Sequence, residues 1–167
     1  PTNTFPLGFL KDAIIIICCD GAEEKLADNG LEPAIIIGDL DSVSPALKKR
    51  YKKILVQDSD QETNDLTKAV RWCVAKGIEE VFILGATGIR EDHTLGNISL
   101  LADYTRIIKA RMLSDTGSFM VYDHSVTINS CPGQQVSLFS LDPGLAVTST
   151  GLRYPLNELK LIVIDWR

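Results

Sequence analysis

The stretch Ala34-Ile35-Ile36-Ile37-Gly38-Asp39-Leu40-Asp41-Ser42 joins an apolar run to a pair of aspartates, and the predicted fold follows from it. The run Ala34–Ile37 lacks polar alternation, which is typical of a strand covered on both faces in a parallel sheet. A similar run, Ala13–Cys18, precedes it. Between the two, Ala22–Asn29 predicts a short helix that ends at Gly30. This part of the chain is therefore predicted to be α/β.

The alternation of helix and strand continues beyond these runs. A helix is predicted from about Asp65 to Lys76, because apolar residues recur there at three- and four-residue spacing before Gly77. Val81–Leu84 predicts the next strand, and Thr94–Arg106 predicts a further helix. This order predicts a doubly wound, mainly parallel sheet with helices on both faces.

The pattern changes near residue 110 to short strand-like runs separated by glycine and proline. We therefore predict two domains, an α/β catalytic domain over residues 1–110 and a small antiparallel β-sandwich over residues 111–167. The predicted strands of the sandwich are Phe119–Tyr122, Ser125–Asn129, Gln135–Leu141, Leu145–Thr148 and Leu161–Trp166.

Composition restricts the possible partners. The chain has 17 lysines and arginines against 22 aspartates and glutamates, so no basic footprint for nucleic acid is expected. The longest apolar stretch, Ala13–Cys19, is too short to cross a bilayer. The four cysteines form no CxxC pair, which is typical of buried thiols in a reducing compartment. We expect a cytoplasmic protein that binds neither nucleic acid nor membrane.

Asp39 and Asp41 are the first candidate site. If the chain stays extended after the strand, residues two apart point to the same side, and both carboxylates can share one cation. The carboxyl ends of parallel strands are where open α/β sheets bind ligands, and carboxylate oxygens suit Mg²⁺. The alternative is a polar loop whose aspartates cap the next turn, because short motifs match freely.

The second candidate site is Gln61-Glu62-Thr63-Asn64-Asp65-Leu66-Thr67-Lys68. Thr63 or Asn64 can cap the following helix, and Asp65 in its first turn is explained by the helix dipole alone. That explanation leaves out Lys68, which lies beside Asp65 on the helix surface. An acid that can bind a metal beside an amine that can meet a phosphate indicates a nucleotide site.

The third candidate site is the loop Gly85-Ala86-Thr87-Gly88-Ile89-Arg90-Glu91-Asp92-His93-Thr94. Its glycines allow backbone N–H groups to approach phosphate oxygens, although it is not a Walker loop. Arg90 offers a forked donor for phosphate, and the alternative is a solvated loop arginine. Asp92 and His93 suggest acid–base chemistry, but a histidine at the start of a helix, such as His93, more often has a capping or packing role.

Five motifs in this order resemble the thiamine pyrophosphokinases of the bacterial type. They are CCDGA (18–22), GLEPAIIIGDLDSV (30–43), QETNDLTKA (61–69), GATGIREDHTLGNISLL (85–101) and TSTGLRYPL (148–156). The resemblance implies transfer of the pyrophosphoryl group of ATP to the hydroxyl of thiamine, giving thiamine diphosphate and AMP. It also implies Mg²⁺ as cofactor and a homodimer with thiamine bound at the subunit interface.

The resemblance also assigns roles to individual residues. Asp39, Asp41 and Asp65 match the positions that bind metal and phosphate, and Lys68, Arg90 and Asp92 complete the implied catalytic group. The residues implied to bind ATP or thiamine are Asp20, Gln61, Asn64, Thr87, Asn97, Thr148, Ser149 and Tyr154. The aromatic ring of Tyr154 would face the cationic thiazolium.

The sequence departs from the family after GLRYPL, where only Asn157–Lys160 precedes the last predicted strand. A complete β domain of the family needs a further strand, so we expect a break in the chain between about Pro155 and Leu161. Two other functions stay open. The chain could be a non-catalytic thiamine- or nucleotide-binding module, or a Mg²⁺-dependent pyrophosphokinase or hydrolase with another acceptor.

Overall fold

The structure, a computed structural model, describes residues 4–41 and 43–161. Helices and strands alternate over its first two thirds, and short strands follow. In chain order the described elements are α1 (Thr4–Asp12), β1 (Ile17–Cys19), α2 (Glu23–Asp28), β2 (Ile35–Gly38), α3 (Pro45–Arg50), β3 (Leu55–Gln57), α4 (Asp65–Ala75), β4 (Glu80–Leu84), α5 (Glu91–Tyr104), β5 (Lys109–Leu113), β6 (Ser118–Phe119), β7 (Ala146–Val147) and β8 (Leu159–Lys160).

Strands β1, β2 and β3 form a parallel sheet with β2 in the centre. Ile36 and Ile37 of β2 are at most 1% exposed, as expected for a parallel strand without polar alternation. Leu26 of α2 and Tyr51 after α3 pack with Ile36 in one buried cluster. The predicted strand–helix–strand unit is confirmed, although ladder pairing begins at Ile17 rather than at Ala13.

A second sheet is formed by β4, β5 and β6. Strands β4 and β5 are parallel, and β6 is antiparallel to β5. Val70 and Cys73 of α4 and Leu101 of α5 pack with Met112 of β5 in its core. An α/β fold with parallel pairing is therefore confirmed, while the described ladders form two sheets instead of one continuous sheet.

The chain divides into two compact units, of which the first ends at Asp123 and the second begins at His124. The sequence placed this boundary near residue 110, but β5 and β6 extend the second sheet and so belong to the first unit. Helix α5 runs from Glu91 to Tyr104 instead of the predicted Thr94–Arg106, and no described residue after Tyr104 is helical.

The second unit contains a small antiparallel sheet of β7 and β8. Ser125–Asn129 and Gln135–Leu141 do not form ladders, so the sandwich is seen only in part. The predicted strand Leu161–Trp166 lies outside the described residues apart from Leu161. The expected break after Pro155 is wrong, because the chain runs directly through Asn157 and Leu159–Lys160 pairs with Ala146–Val147.

Helix length and polarity also bear on membranes. Among the described residues, every helix is too short or too polar to cross a bilayer.

Candidate active site

Gly38, the last residue of β2, is the point where two acidic segments meet. A Cβ atom built at Gly38 would lie 2.5 Å from Cβ of Asp20 and 3.3 Å from Cγ of Asp65. Asp20 follows β1, where its backbone N–H donates to the carbonyl of Ile37 at 2.9 Å, and Asp65 begins α4. The absence of a side chain at residue 38 therefore allows Asp20 and Asp65 to approach the end of β2.

The chain from Asp39 to Asp41 is a turn and not the extended strand that the sequence suggested. Leu40 has φ of 66°, and the backbone N–H of Asp41 donates to Oδ1 of Asp39 at 3.0 Å. A positive φ is unfavourable for a branched residue, but the side chain of Leu40 is 7% exposed and packs in the same buried cluster as Ile36. Burial of Leu40 therefore holds the turn, and the extended geometry predicted for Asp39 and Asp41 is wrong.

The carboxylate of Asp39 is surrounded by hydrogen-bond donors. The N–H of Asp41 is the main cause of a lowered pKa at Asp39, and it outweighs the opposing effect of desolvation. Gln61 contributes through its Nε2 atom, 3.5 Å from Oδ2, and the charge of Lys68 lowers the pKa further. Gln57 donates from Nε2 to the carbonyl of Asp39 at 3.2 Å. Asp39 is therefore held as an anion in a fixed turn.

Lys68 is the buried cation of this region. Its side chain is 3% exposed, and Nζ lies 3.1 Å from Oδ1 of Asp65. Burial acts to lower the pKa of Lys68, but the hydrogen bond to Asp65 and the charges of Asp65, Asp39 and Asp58 together raise it. Asn64 begins the same helix, and its side chain accepts from the N–H of Thr67 at 2.9 Å. The cap of α4 and the ion pair thus fix Asp65 at the helix start.

The sequence-based prediction missed two aspartates that follow β3. The N–H of Asp58 donates to the carbonyl of Gly38 at 2.9 Å, and Oδ1 of Asp58 accepts from the N–H of Asp60 at 3.1 Å. Asp60 in turn accepts from the N–H of Glu62, which is the main cause of its lowered pKa, and from the hydroxyl of Thr63. The available signal was Asp-Ser-Asp (58–60), which is separated from the apolar run Ile54–Val56 only by Gln57.

The glycine-bearing loop after β4 is held by side chains of α5. Gly85 and Gly88 have φ of 72° and 90°, which glycine adopts without strain. Asn97 donates from Nδ2 to the carbonyl of Ala86 at 2.8 Å, and the hydroxyl of Thr94 bridges Gly88 and Arg90. Asn97 therefore supports the loop in this structure. Thr87, also predicted in the site, is half-buried in the loop.

Arg90 and Asp92 form an exposed two-point ion pair. Nε of Arg90 lies 3.1 Å from Oδ1 of Asp92, and Nη2 contacts Oδ2. The hydrogen bonds from Arg90, followed by the N–H of His93, lower the pKa of Asp92 to about 2. A carboxylate with this pKa is a poor proton acceptor at neutral pH, so this pairing does not favour Asp92 as a general base.

The donor chemistry at this edge fits a hard divalent cation, because Asp39 and Asp65 offer carboxylate oxygens and Asp39 has a lowered pKa. Asp41 is exposed, and the structure records its backbone but not its carboxylate in contact with Asp39. Within residues 4–41 and 43–161, no three histidine, cysteine, aspartate or glutamate side chains are grouped closely enough to hold a metal ion. The predicted three-acid set is therefore not preassembled.

The predicted thiamine residues lie in the second unit, on the connection from β7 to β8. The hydroxyl of Thr148 accepts from the N–H of Glu158 at 3.1 Å, and that of Ser149 accepts from the N–H of Leu156 at 2.9 Å. Tyr154 is 75% exposed, with the guanidinium of Arg153 5.5 Å from its ring centroid. Thr148 and Ser149 therefore brace the loop that exposes the aromatic ring.

Comparison with known proteins assigns this chain to a family. Residues 8–113 match the family described as thiamin pyrophosphokinase, catalytic domain. Thiamine pyrophosphokinase from Bacillus subtilis (strain 168) is 29% identical over 171 residues, which cover 95% of this chain and 78% of that protein. Thiamine pyrophosphokinase 1 from Oryza sativa subsp. japonica is also 29% identical, over 87% of this chain.

The chain spans 66% of the length of the rice protein, so it matches about two thirds of that relative. Among solved structures, the Bacillus subtilis thiamine pyrophosphokinase aligns with a TM-score of 0.70 and 26% identity, covering 87% of this chain and 72% of that one. The family match covers more than half of the chain and includes the ends of β1, β2 and β3, the start of α4 and the loop after β4. This chain belongs to the thiamin pyrophosphokinase family.

Proposed function

We propose that this chain transfers the pyrophosphoryl group of ATP to the hydroxyl of thiamine, giving thiamine diphosphate and AMP. The observation that supports it most is the approach of Asp20 and Asp65 to Gly38, beside the turn that holds Asp39. Acids from three chain segments at one sheet edge are suited to a cation–polyphosphate complex. The matched relatives carry the name of this activity.

In the proposed reaction the hydroxyl oxygen of thiamine forms a bond to the β-phosphorus of ATP. The bond from that phosphorus to the oxygen bridging the α-phosphorus breaks, and its electron pair leaves with AMP. Mg²⁺, when bound by Asp39, Asp41 and Asp65, would neutralise phosphate oxygens. Lys68 orients Asp65, and Asp20, Gln61 and Asn64 position the surrounding turns and the start of α4.

Arg90 has the forked geometry that binds phosphate at two points. In this structure the fork is occupied by Asp92. When Arg90 turns to a phosphate group, Asp92 loses the partner that is the main cause of its lowered pKa. Asp92 then becomes a better acceptor for the thiamine hydroxyl proton. Its role as orienting group or base therefore depends on release of the pair.

The remaining parts of the proposal come from the family resemblance. Thr87 and Asn97 would position the loop next to ATP, whereas Thr148, Ser149 and Tyr154 would contact thiamine at the interface of a homodimer. A cytoplasmic location belongs to the same proposal. Light scattering under assay conditions tests the dimer, because a fully active monomer would contradict it.

Release of AMP tests the function directly. The purified chain with ATP and Mg²⁺ should release AMP only when thiamine is present, and thiamine diphosphate should appear in equal amount. AMP or phosphate release without thiamine would indicate a hydrolase. Binding of thiamine without product would indicate a non-catalytic module. For Asp→Asn variants of the proposed metal-binding residues, the matched control is Asp28→Asn. It alters an exposed aspartate of α2 and should keep wild-type turnover.

A further inference from the structure

The segment Lys48-Lys49-Arg50-Tyr51-Lys52-Lys53 concentrates positive charge on an acidic chain. It contains five of the 17 lysines and arginines, whereas the formal net charge of the whole chain is −5. All five cationic side chains are exposed. Three belong to the last turn of α3, where cations are favourable next to the helix dipole. Lys52 and Lys53 lie beyond the helix end, so the dipole does not account for them.

These residues line a wide depression that is open to solvent, here called the basic pocket. It has a volume of about 400 Å³ and is lined by Glu32, Pro33 and residues 49–54. The wall is braced by Tyr51, which is 6% exposed and donates its hydroxyl hydrogen bond to Oε2 of Glu32 at 2.9 Å. The pocket therefore combines a braced wall with long cationic side chains that can adjust to a ligand.

The acidic residue of the basic pocket does not neutralise its lysines. Glu32 pairs with Arg50, whose guanidinium also lies 5.0 Å from the ring centroid of Tyr51. In the part of the chain that the structure describes, Lys48, Lys49, Lys52 and Lys53 form no ion pair. Three of these lysines, Lys49, Lys52 and Lys53, line the pocket. Their charges are available to an anion.

The basic pocket and the acidic site lie at opposite edges of the first sheet. Pro33 precedes β2 and Ile54 precedes β3, whereas Asp39 and Asp58 follow the same two strands. The four residues of β2 separate the edges by roughly 10 Å. An anion in the basic pocket therefore meets lysines without meeting the carboxylates of the acidic site.

We propose that the basic pocket is a second site that binds the phosphoanhydride group of a small molecule. Lys49, Lys52 and Lys53 would contact its oxygens, and the Arg50–Tyr51–Glu32 wall would limit its size. Two or three linked phosphates match the closely spaced cations. Inorganic polyphosphate and a nucleotide carry the same group, so the experiment compares both. A nucleic acid or an anionic membrane would be a different class of partner.

The test measures binding in EDTA, because Mg²⁺-dependent binding at the acidic site is then removed. Calorimetric titration of the full chain with inorganic tripolyphosphate should show one binding site. In the triple variant Lys49→Gln/Lys52→Gln/Lys53→Gln the dissociation constant should rise at least tenfold, because each lost charged contact weakens binding substantially. The matched control, Lys25→Gln/Lys76→Gln/Lys109→Gln, removes the same charge from exposed lysines elsewhere and should bind as wild type does.

Three results would overturn the proposal: no binding, equal weakening in both triple variants, or tighter binding of RNA or phosphatidylserine vesicles than of tripolyphosphate through the same lysines. Replacing tripolyphosphate by ATP distinguishes the sources. Equal affinity assigns recognition to the phosphate chain alone, and tighter ATP binding assigns part of it to the nucleoside. Turnover should be unchanged in the variant of the three pocket lysines, because these lysines lie outside the proposed active site. AMP release therefore tests the proposed transferase activity separately from phosphate binding at the pocket.

Discussion

The ammonium group of Lys68 and the carboxylate of Asp65 form an asymmetric ion pair, in which the two atoms Nζ and Oδ1 are 3.1 Å apart but the side chains are 3% and 30% exposed. The cation is enclosed and the anion faces the candidate site. Since an ammonium in the interior is stable only when it is paired, Asp65 is tied to the protein by a partner that solvent cannot reach. Lys68 therefore serves first to orient Asp65.

Replacing Lys68 by methionine should lower the free energy of unfolding by about 2 kcal/mol, less than the loss for a fully buried pair because Asp65 is partly solvated. Adding Asp65→Asn should recover part of this loss, since it removes the charge left without its cation. Urea unfolding of both variants measures the difference. Lys25→Met, at an exposed lysine of helix α2, is the control and should stay within about 0.5 kcal/mol of wild type. Equal stability of Lys68→Met and Lys25→Met would contradict the role of the pair.

Gly38→Ala should displace Asp20, because the new Cβ would lie 2.5 Å from the Cβ of that residue and neither atom is at a flexible end. We expect a loss of about 1–3 kcal/mol in unfolding free energy, as in overpacked cores, together with reduced AMP release per folded molecule. Gly8→Ala is the matched control. No atom lies within 4 Å of a Cβ there, and alanine in helix α1 should raise stability by up to ~1 kcal/mol. A fully active and stable Gly38→Ala protein would show that Asp20 and Asp65 do not depend on this close approach.

The apolar runs and the helix periodicity were sufficient to predict β2, α4 and β4, because burial on both faces or on one stripe leaves a clear pattern. Strand β3 was missed since Leu55–Gln57 is only three residues long, and its pairing with β2 is a long-range contact that no local pattern reports. Helix α3 was also missed, because it is short and has no buried residue. Its main signal in the sequence was the Ser44 cap followed by Pro45. The strand-like runs in residues 125–141 were predicted from propensity alone, which depends on context more than helix propensity does.

Part of the candidate site could likewise be predicted from the sequence, and part could not. Asp39, Asp65 and Lys68 were predicted from motifs next to buried elements, and the structure brings Asp65 and Lys68 into contact. What the motifs could not show is the backbone between Asp39 and Asp41, because a positive φ at Leu40 is decided by the packing of its side chain in the core. The pairing of Arg90 with Asp92 was also not predictable, because it depends on the extended backbone of Arg90 just before α5, which the spacing of the two residues does not fix.

The Arg90–Asp92 pair predicts an unusual titration. The folded-state pKa of Asp92, about 2, is below its ordinary value of 3.8, so the pair contributes stability above about pH 4 and loses it as the pH falls towards 2. NMR of the Asp92 carboxyl carbon should give a midpoint near 2 in wild type and a higher midpoint in Arg90→Gln. Arg106→Gln removes an arginine that pairs with Asp103 instead, and it should leave the midpoint unchanged. A wild-type midpoint near 3.8 would mean that the pair does not persist in solution.

If Asp39, Asp41 and Asp65 bind Mg²⁺ as proposed, each Asp→Asn change keeps the side-chain shape but removes a charge that the cation requires. AMP release should fall by roughly 10²–10³ in each variant, the usual size for loss of one group that stabilises transition-state charge. The structure predicts different effects on folding. Asp41 is exposed, so Asp41→Asn should melt at the wild-type temperature in EDTA, whereas Asp65→Asn loses the charge opposite Lys68 and should melt lower.

The melting temperature of Asp39→Asn should lie between those of Asp41→Asn and Asp65→Asn. The side-chain oxygen of residue 39 can still accept from the N–H of Asp41, but the charge that benefits from that donor is lost. Adding Mg²⁺ and ATP separates catalysis from capping. Ligand that binds only the folded state raises the melting temperature, so wild type should be stabilised and the three variants much less. If the aspartates serve only as caps, stability falls by about 1 kcal/mol while turnover per folded molecule stays at the wild-type rate. A wild-type rate in Asp41→Asn, the variant with no folding defect to obscure it, would remove that residue from the metal site.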